Sequence, residues 1–152
     1  MYIQQLYTGC LSEAAYYIES EGEAAIIDPL RDTDEYIRMA AERKAGIKYI
    51  FETHFHADFV SGHIDLGKKT GAPIIYGPNA ATNYEAHISK DGELFKLGKL
   101  TIEVVHTPGH TLESSCYLLR DEDGKPHALF TGDTLFVGDV GRPDLVCQYG
   151  YE

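Results

Sequence analysis

Histidine and aspartate side chains are concentrated directly after three segments that have the pattern of buried β-strands. These groups are His54-x-His56-x-Asp58 after Ile47–Glu52, Pro108-Gly109-His110 after Leu100–His106, and Gly132-Asp133 after His127–Thr131. Apolar, β-branched and aromatic runs predict strands covered by other layers. Metal-ligating side chains fixed at strand ends are typical of a preorganised site. The chain must therefore fold so that several strand ends come together.

The segments before and between these groups alternate strand and helix patterns. The predicted strands and helices of the first half are Tyr2–Tyr7, Ala14–Glu19, Ala24–Asp28, helix Thr33–Ala45, Ile47–Glu52, helix Ser61–Lys69 and Pro73–Tyr76. Thr33 is predicted to cap the first helix and Gly46 to end it. Two hairpins are predicted to follow, Glu93–His106 and Ser114–Thr131. This order favours an α/β fold with helices packed on sheet, in one domain over residues 1–152.

Charge and composition exclude several classes of protein. With 24 acidic and 13 basic residues the formal net charge is −11, which argues against binding to nucleic acid. No apolar run approaches the roughly 20 residues of a membrane helix, and the first residues lack the pattern of a signal peptide. We therefore expect a cytoplasmic protein without a membrane segment. The cysteines Cys10, Cys116 and Cys147 are predicted to be thiols in a reducing compartment.

The grouped side chains point to a bound metal ion. Alternate residues of an extended segment point the same way, so His54, His56 and Asp58 can face one cavity. Imidazole and carboxylate are ligands for zinc, iron or manganese. Spacing alone leaves open which of these residues bind the metal, and Asp58 could instead orient an imidazole. The remaining histidines are predicted to be surface or packing residues: His63, His87, His106 and His127.

The motifs resemble those of the metallo-β-lactamase superfamily, an αββα sandwich with metals at the ends of its sheets. The matching segments are Ile26–Pro29, Thr53–Asp58, Thr107–Thr111 and Phe130–Phe136. Within the superfamily, Glu52–His63 and Gly138–Asp144 resemble the persulfide dioxygenases, including bacterial members fused to rhodanese domains. Nearly the whole chain takes part in this resemblance.

The resemblance implies a ligand set and a single metal. His54, His110 and Asp133 would bind one Fe(II), while His56 and Asp58 would be catalytic residues of the surrounding pocket. Phe59 stands where two-metal hydrolases such as glyoxalase II have a histidine, and a phenyl ring cannot bind a metal. Those hydrolases also use a histidine far downstream, and none follows His127. Two histidines and one carboxylate form the facial triad of non-haem iron oxygenases.

The implied reaction is oxidation of a thiol persulfide, such as glutathione persulfide, by O2 to sulfite and thiol. Arg142 would bind a substrate carboxylate, or else pair with Asp139 or Asp144. One alternative is a mononuclear zinc hydrolase of a thioester or lactone, with His54, His56 and His110 as ligands. A second alternative is an inactive chain that only keeps the fold.

The end of the chain adds a further expectation. Residues after Leu145 do not resemble the superfamily, so the αββα sandwich is expected to be truncated in its C-terminal half. A missing layer would expose apolar sheet surface. Another chain, such as the second copy in a homodimer, would then cover it, or the sequence belongs to a longer parent chain that carries a rhodanese domain.

Overall fold

The computed structural model describes residues 1–8, 13–30, 32–53, 63–78, 85–106, 115–131 and 135–137. Within these ranges lie the helices α1 (Asp34–Glu42) and α2 (His63–Thr70). The strands are β1 (Tyr2–Thr8), β2 (Glu13–Ser20), β3 (Glu23–Ile27), β4 (Gly46–Phe51), β5 (Ile74–Tyr76), β6 (His87–Ile88), β7 (Leu94–Leu97), β8 (Leu100–His106), β9 (Ser115–Arg120), β10 (Pro126–Phe130) and β11 (Leu135–Val137). Neither described helix is long and apolar enough to cross a bilayer.

The strands form two sheets. The first has the order β1-β2-β3-β4-β5-β6, and the second has the order β11-β10-β9-β8-β7. In the first sheet β1, β2 and β3 are antiparallel, whereas β3, β4, β5 and β6 run parallel. Parallel neighbours need a crossover connection. Helix α1 lies in the connection from β3 to β4, and α2 lies in the connection from β4 to β5. The second sheet is antiparallel throughout.

The two sheets pack face to face through a shared apolar core. Its buried residues are Tyr16, Ile18, Ala25, Ile27, Phe51 and Ile75 from the first sheet and Leu97, Leu100, Ile102, Val104, Tyr117, Leu119, Ala128 and Phe130 from the second. Aromatic rings meet across this interface: the ring centroids of Phe51 and Tyr117 are 4.9 Å apart, and those of Tyr16 and Phe130 are 5.0 Å apart. Removing this much apolar surface from water is the main driving force that holds the layers together.

Both helices cover the outer face of the first sheet. Tyr36 and Ala40 of α1 and Leu66 of α2 are buried against Tyr17, Ile26 and other residues of that face. On the outer face of the second sheet Cys116, Leu118 and Leu129 form a smaller buried cluster. The described residues thus supply three layers, helix, sheet and sheet, and the predicted mixed α/β fold is confirmed.

The boundaries of α1 differ from the prediction. Thr33 makes no side-chain cap bond, because its hydroxyl instead donates to the Asp65 carboxylate of α2 at 2.5 Å. The helix ends before Gly46, and the left-handed residue after it is Lys44, with φ 58°. Gly46 begins β4, where its amide donates to the Gly22 carbonyl. Contacts with other elements therefore override both local signals.

Three further features lie outside what the sequence predicted. The short strands β6 and β11 were not predicted, because two or three residues are too few for a periodic pattern. Cys116 is disulfide-bonded, so the prediction of a thiol is wrong for this residue, and its partner lies outside the described residues. Sequence spacing carries no information on such pairings.

A tight contact joins the two sheets at the end where β7 turns into β8. The Gly98 amide donates to the Glu23 carboxylate at 2.6 Å, and the Lys99 amide donates to the Ser20 hydroxyl at 3.2 Å. Gly98 has φ 57°, and a Cβ atom there would lie 2.3 Å from the Ser20 carbonyl oxygen. Only glycine lets the turn come this close to β2.

Replacing this glycine should destabilise the protein strongly. Gly98→Ala is expected to lower the free energy of unfolding by about 3 kcal/mol or more, since backbone strain and a backbone clash add together. The matched control is Gly92→Ala, where φ is also positive at 82° but no atom lies within 4 Å of the added Cβ. That change should cost only about 1 kcal/mol. Urea denaturation of both variants checks this, and equal losses would contradict the clash.

Candidate metal centre

The strand ends that precede the predicted ligand groups are joined to one another by hydrogen bonds. The Ser115 amide, at the start of β9, donates to the Thr53 carbonyl just beyond β4 at 2.7 Å. The Tyr117 hydroxyl donates to the Glu52 carbonyl at 2.5 Å. His106, the last residue of β8, pairs with Ser115 in the second sheet. The carboxyl ends of β4 and β8 therefore lie on either side of the start of β9.

The third strand end belongs to the same set. Phe130, the last residue of β10, pairs with Tyr117 in the second sheet. Tyr117 of β9 also donates to the carbonyl of Glu52, the residue after β4. The ends of β10 and β4 therefore both contact β9 at Tyr117. The described ends of β4, β8 and β10 thus belong to one connected region. That the three groups share a site stays a prediction, because the groups themselves lie outside the described residues.

The predicted site residues themselves lie outside the described residues. They are His54, His56, Asp58, Phe59, His110, Asp133 and Arg142. Within the part of the chain that the structure describes, no group of three histidine, cysteine or acidic side chains could hold a metal. The described residues therefore form the support of the candidate site, and the ligand assignments stay predictions.

Asp28 fixes the backbone directly before His54. Its carboxylate accepts hydrogen bonds from the Thr53 amide at 2.9 Å and from the Thr53 hydroxyl at 2.7 Å. Both residues are buried. Asp28 has φ 53°, in the left-handed region that few residues other than glycine occupy, and its own amide donates to the Phe51 carbonyl. The strained turn at Asp28 thus aims its carboxylate at the residue before the first predicted ligand.

Two more ionisable side chains are buried beside this point. Glu52 and His63 are both fully buried, and His63 Nδ1 lies 3.3 Å from Glu52 Oε1. His63 also contacts the Tyr76 ring, with the ring centroids 6.3 Å apart. From the sequence, His63 is predicted to be a surface or packing residue, and Glu52 and Asp28 have no predicted role. Such a buried contact can be found only when the fold is known, because residue 52 follows β4 and residue 63 begins α2.

The remaining histidines have ordinary surroundings. His87 is exposed and bonded to Glu93, with 2.6 Å between Nε2 and Oε2. His106 and His127 are half-buried. These positions agree with the prediction that they are surface or packing residues.

The comparisons with known proteins decide the family. Residues 8–150 match the family model described as the metallo-beta-lactamase superfamily. The chain belongs to this superfamily. The resemblance drawn from the motifs is therefore confirmed, and the mixed α/β layers agree with it. The match extends to residue 150, so the expectation that the residues after Leu145 do not resemble the superfamily is wrong.

Solved structures and a curated relative are similar to the chain over much of its length. A metallo-beta-lactamase from Staphylococcus aureus subsp. aureus COL is 41% identical over 97% of this chain and 48% of its own, with TM-score 0.79. ETHE1 from Myxococcus xanthus is 32% identical over 78% of this chain and 54% of its own, with TM-score 0.70. The cytoplasmic hydroxyacylglutathione hydrolase of Arabidopsis thaliana is 33% identical over 88% of this chain and 53% of its own. The chain spans about half the length of the curated relatives it matches.

Removing the Asp28 carboxylate should destabilise the strand junction. Asp28→Ala removes the carboxylate that accepts from the buried amide and hydroxyl of Thr53 and puts alanine in a left-handed conformation. We expect a loss of about 3 kcal/mol in the free energy of unfolding. Asp28→Asn should cost less, since asparagine tolerates positive φ and keeps one oxygen acceptor. Thermal and urea unfolding measure both, and an equal cost for the two variants would refute this account.

Tyr117 should make the fold sensitive to alkaline pH. Burial raises the pKa of its phenol well above the ordinary value of 10.0, and the negative charges of Asp28 and Glu52 raise it further. Above pH 10.0 the unfolded chain loses this proton and the folded chain keeps it, so stability falls as pH rises. Tyr117→Phe removes the hydroxyl bond, costing about 1 kcal/mol near neutral pH. The variant should also lose less stability than the wild type between about pH 8 and about pH 11. Urea midpoints at the two pH values test this, and parallel losses in both proteins would contradict it.

Proposed function

We propose that this chain carries the metal site of an iron-dependent dioxygenase that oxidises a thiol persulfide, such as glutathione persulfide, with O2. The overall change is RSSH + O2 + H2O → RSH + H2SO3. The terminal sulfur loses the four electrons that O2 gains, so no further reductant is needed. A similar reaction is implied by the resemblance of Glu52–His63 and Gly138–Asp144 to persulfide dioxygenases, and similarity to ETHE1 supports this closer relation.

Residue 59 carries this proposal. By the resemblance, Phe59 stands where two-metal hydrolases have a histidine, and a phenyl ring cannot bind a metal. A site that has lost this donor favours one metal, whereas a pair of ions would favour hydrolysis. Two imidazoles and one carboxylate then leave three coordination positions open.

The residues at hand fit an iron ion. His54, His110 and Asp133 would hold it, since their segments leave from the joined ends of β4, β8 and β10. When bound, Fe(II) would bind the persulfide sulfur and O2 and supply the redox chemistry of their reaction. Thiolate donors and a change of oxidation state suit iron, whereas zinc has no redox chemistry.

The chain's own residues would orient the reactants. Asp28 holds Thr53 in place and so determines where the backbone delivers His54. His56 and Asp58 would line the pocket and orient an imidazole or move a proton. Arg142 would bind a carboxylate of the thiol carrier with two parallel hydrogen bonds. A cytoplasmic location, a homodimer and a rhodanese domain in a longer parent chain stay predictions.

A second function has its own support. The curated relatives are named hydroxyacylglutathione hydrolases, which favours a zinc enzyme that cleaves a thioester. His54, His56 and His110 would then bind the ion, and a bound water with a pKa of about 7 would be the nucleophile. Both candidate functions use a glutathione-like substrate, so the metal and the demand for O2 separate them.

Oxygen consumption tests the choice. Protein loaded with Fe(II) should consume one O2 per glutathione persulfide and release sulfite, and zinc-loaded protein should consume none. His54→Ala should lower the rate at least about 100-fold, because removing a ligand empties the site. His127→Ala, a half-buried histidine of β10, is the matched control and should keep the rate. Absence of O2 uptake together with zinc-dependent cleavage of a glutathione thioester would replace the dioxygenase by the hydrolase.

A further inference from the structure

Glu52 and His63 form a buried pair at the two ends of the segment that carries the predicted metal ligands. Residue 52 follows β4 and residue 63 begins α2, so His54, His56 and Asp58 lie between the two residues in the sequence. Both side chains have no exposed surface, and 3.3 Å separates His63 Nδ1 from Glu52 Oε1. The pair therefore joins the start and the end of this segment through side chains.

Each member is held on a rigid element. The Glu52 amide donates to the Ile75 carbonyl of β5 at 2.9 Å, and the Glu52 carbonyl accepts the Tyr117 hydroxyl. His63 lies in the first turn of α2 and meets the edge of the Tyr76 ring. A change in the distance between β4 and α2 would break these contacts. The pair thus fixes the span that the enclosed segment must bridge.

Stability alone does not require this chemistry. Taking two ionisable side chains out of water carries a large desolvation cost, and apolar residues of similar volume are often as stable or more stable. A contact between an imidazole nitrogen and a carboxylate oxygen, such as the 3.3 Å contact of this pair, depends on distance and direction more than apolar contacts do. What a buried Glu–His pair adds over an apolar pair is therefore a defined geometry between the two elements.

We propose that the Glu52–His63 pair is a positioning clamp that sets the affinity and geometry of the metal site by fixing both ends of segment 54–62. Neither residue is a metal ligand in this proposal. The inference rests on the metal site of the proposed function, but not on which reaction that site performs. It applies equally to iron and to zinc.

Binding of Co(II), a spectroscopic probe for either metal, tests the clamp. The main variant is Glu52→Met/His63→Phe, which replaces the pair with apolar side chains of similar size. We expect Kd for Co(II) to rise about 10- to 100-fold, with changed visible absorption bands, while the thermal midpoint of the metal-free protein stays at or above that of the wild type. Wild-type affinity and wild-type cobalt bands in this folded variant would overturn the proposal.

The chain offers a matched control pair. His87 and Glu93 have the same two side-chain types in contact, but on the surface between β6 and β7. Glu93→Met/His87→Phe should leave Kd and the cobalt spectrum unchanged. A similar loss of affinity in this control would show a nonspecific effect and would overturn the clamp.

A conservative variant keeps the test decisive if the double variant fails to fold. Glu52→Gln keeps the volume of the side chain but replaces one carboxylate oxygen with an amide nitrogen, which changes the polar contact with His63 Nδ1. It should fold and should weaken Co(II) binding by about threefold to tenfold, with shifted bands, whereas Glu93→Gln should not. Unchanged binding by Glu52→Gln would then overturn the clamp. If the wild-type protein itself binds no Co(II), the metal site of the proposed function is wrong and the clamp is wrong with it.

Discussion

The hydrogen bonds around Thr53 are the interaction on which the candidate site depends. The Asp28 carboxylate accepts from the amide and hydroxyl of Thr53, and the Thr53 carbonyl accepts from Ser115 of the other sheet. Apolar contacts between the sheets supply most of the driving force for folding, but they are not directional. The buried hydrogen bonds add the direction that holds one strand end against another. A metal site built from separate strands needs this accuracy.

Polar contacts join the sheets at a second place along the chain, and both places lie beside the shared apolar core. At the turn after β7, Gly98 and Lys99 bond to Glu23 and Ser20. At the carboxyl end of β4, the contacts of Thr53 and Tyr117 do the same. The junction at Gly98 and Lys99 leaves no space for a side chain at residue 98. The junction at Thr53 lies directly before His54, His56 and Asp58 in the chain, so it is the one that supports the candidate site.

Membership of the superfamily establishes the scaffold and not the reaction. One scaffold supports several chemistries, and function depends on the residues grafted onto it. Relatives named as hydrolases and the structure of ETHE1 are similar to this chain at comparable identity. Phe59 offers no donor to a metal, so this position argues against a second ion, whereas the identity of the metal and the demand for O2 separate a one-iron dioxygenase from a one-zinc hydrolase.

Agreement between sequence and structure follows the range of the interactions involved. Strand β8 has the predicted bounds, Leu100–His106, because an alternating pattern over seven residues is visible in the sequence itself. The grouping of His54, His56 and Asp58 after a buried strand was visible in the same way. Thr33 and Gly46 departed from their predicted roles because residues distant in sequence, Asp65 and Gly22, bind them instead. Short strands β6 and β11 had no periodic signal.

The sequence by itself determined the superfamily, since the motifs depend on which residues are present and on short spacings. Through that resemblance it also implied the candidate ligands and the loss of a donor at position 59. The tertiary structure alone decided that Asp28 holds Thr53 and that Glu52 meets His63 in the interior. These partners come from different strands and helices, and only packing of the layers brings them within hydrogen-bonding distance. Local patterns record burial and periodicity, whereas contacts across elements depend on the whole fold.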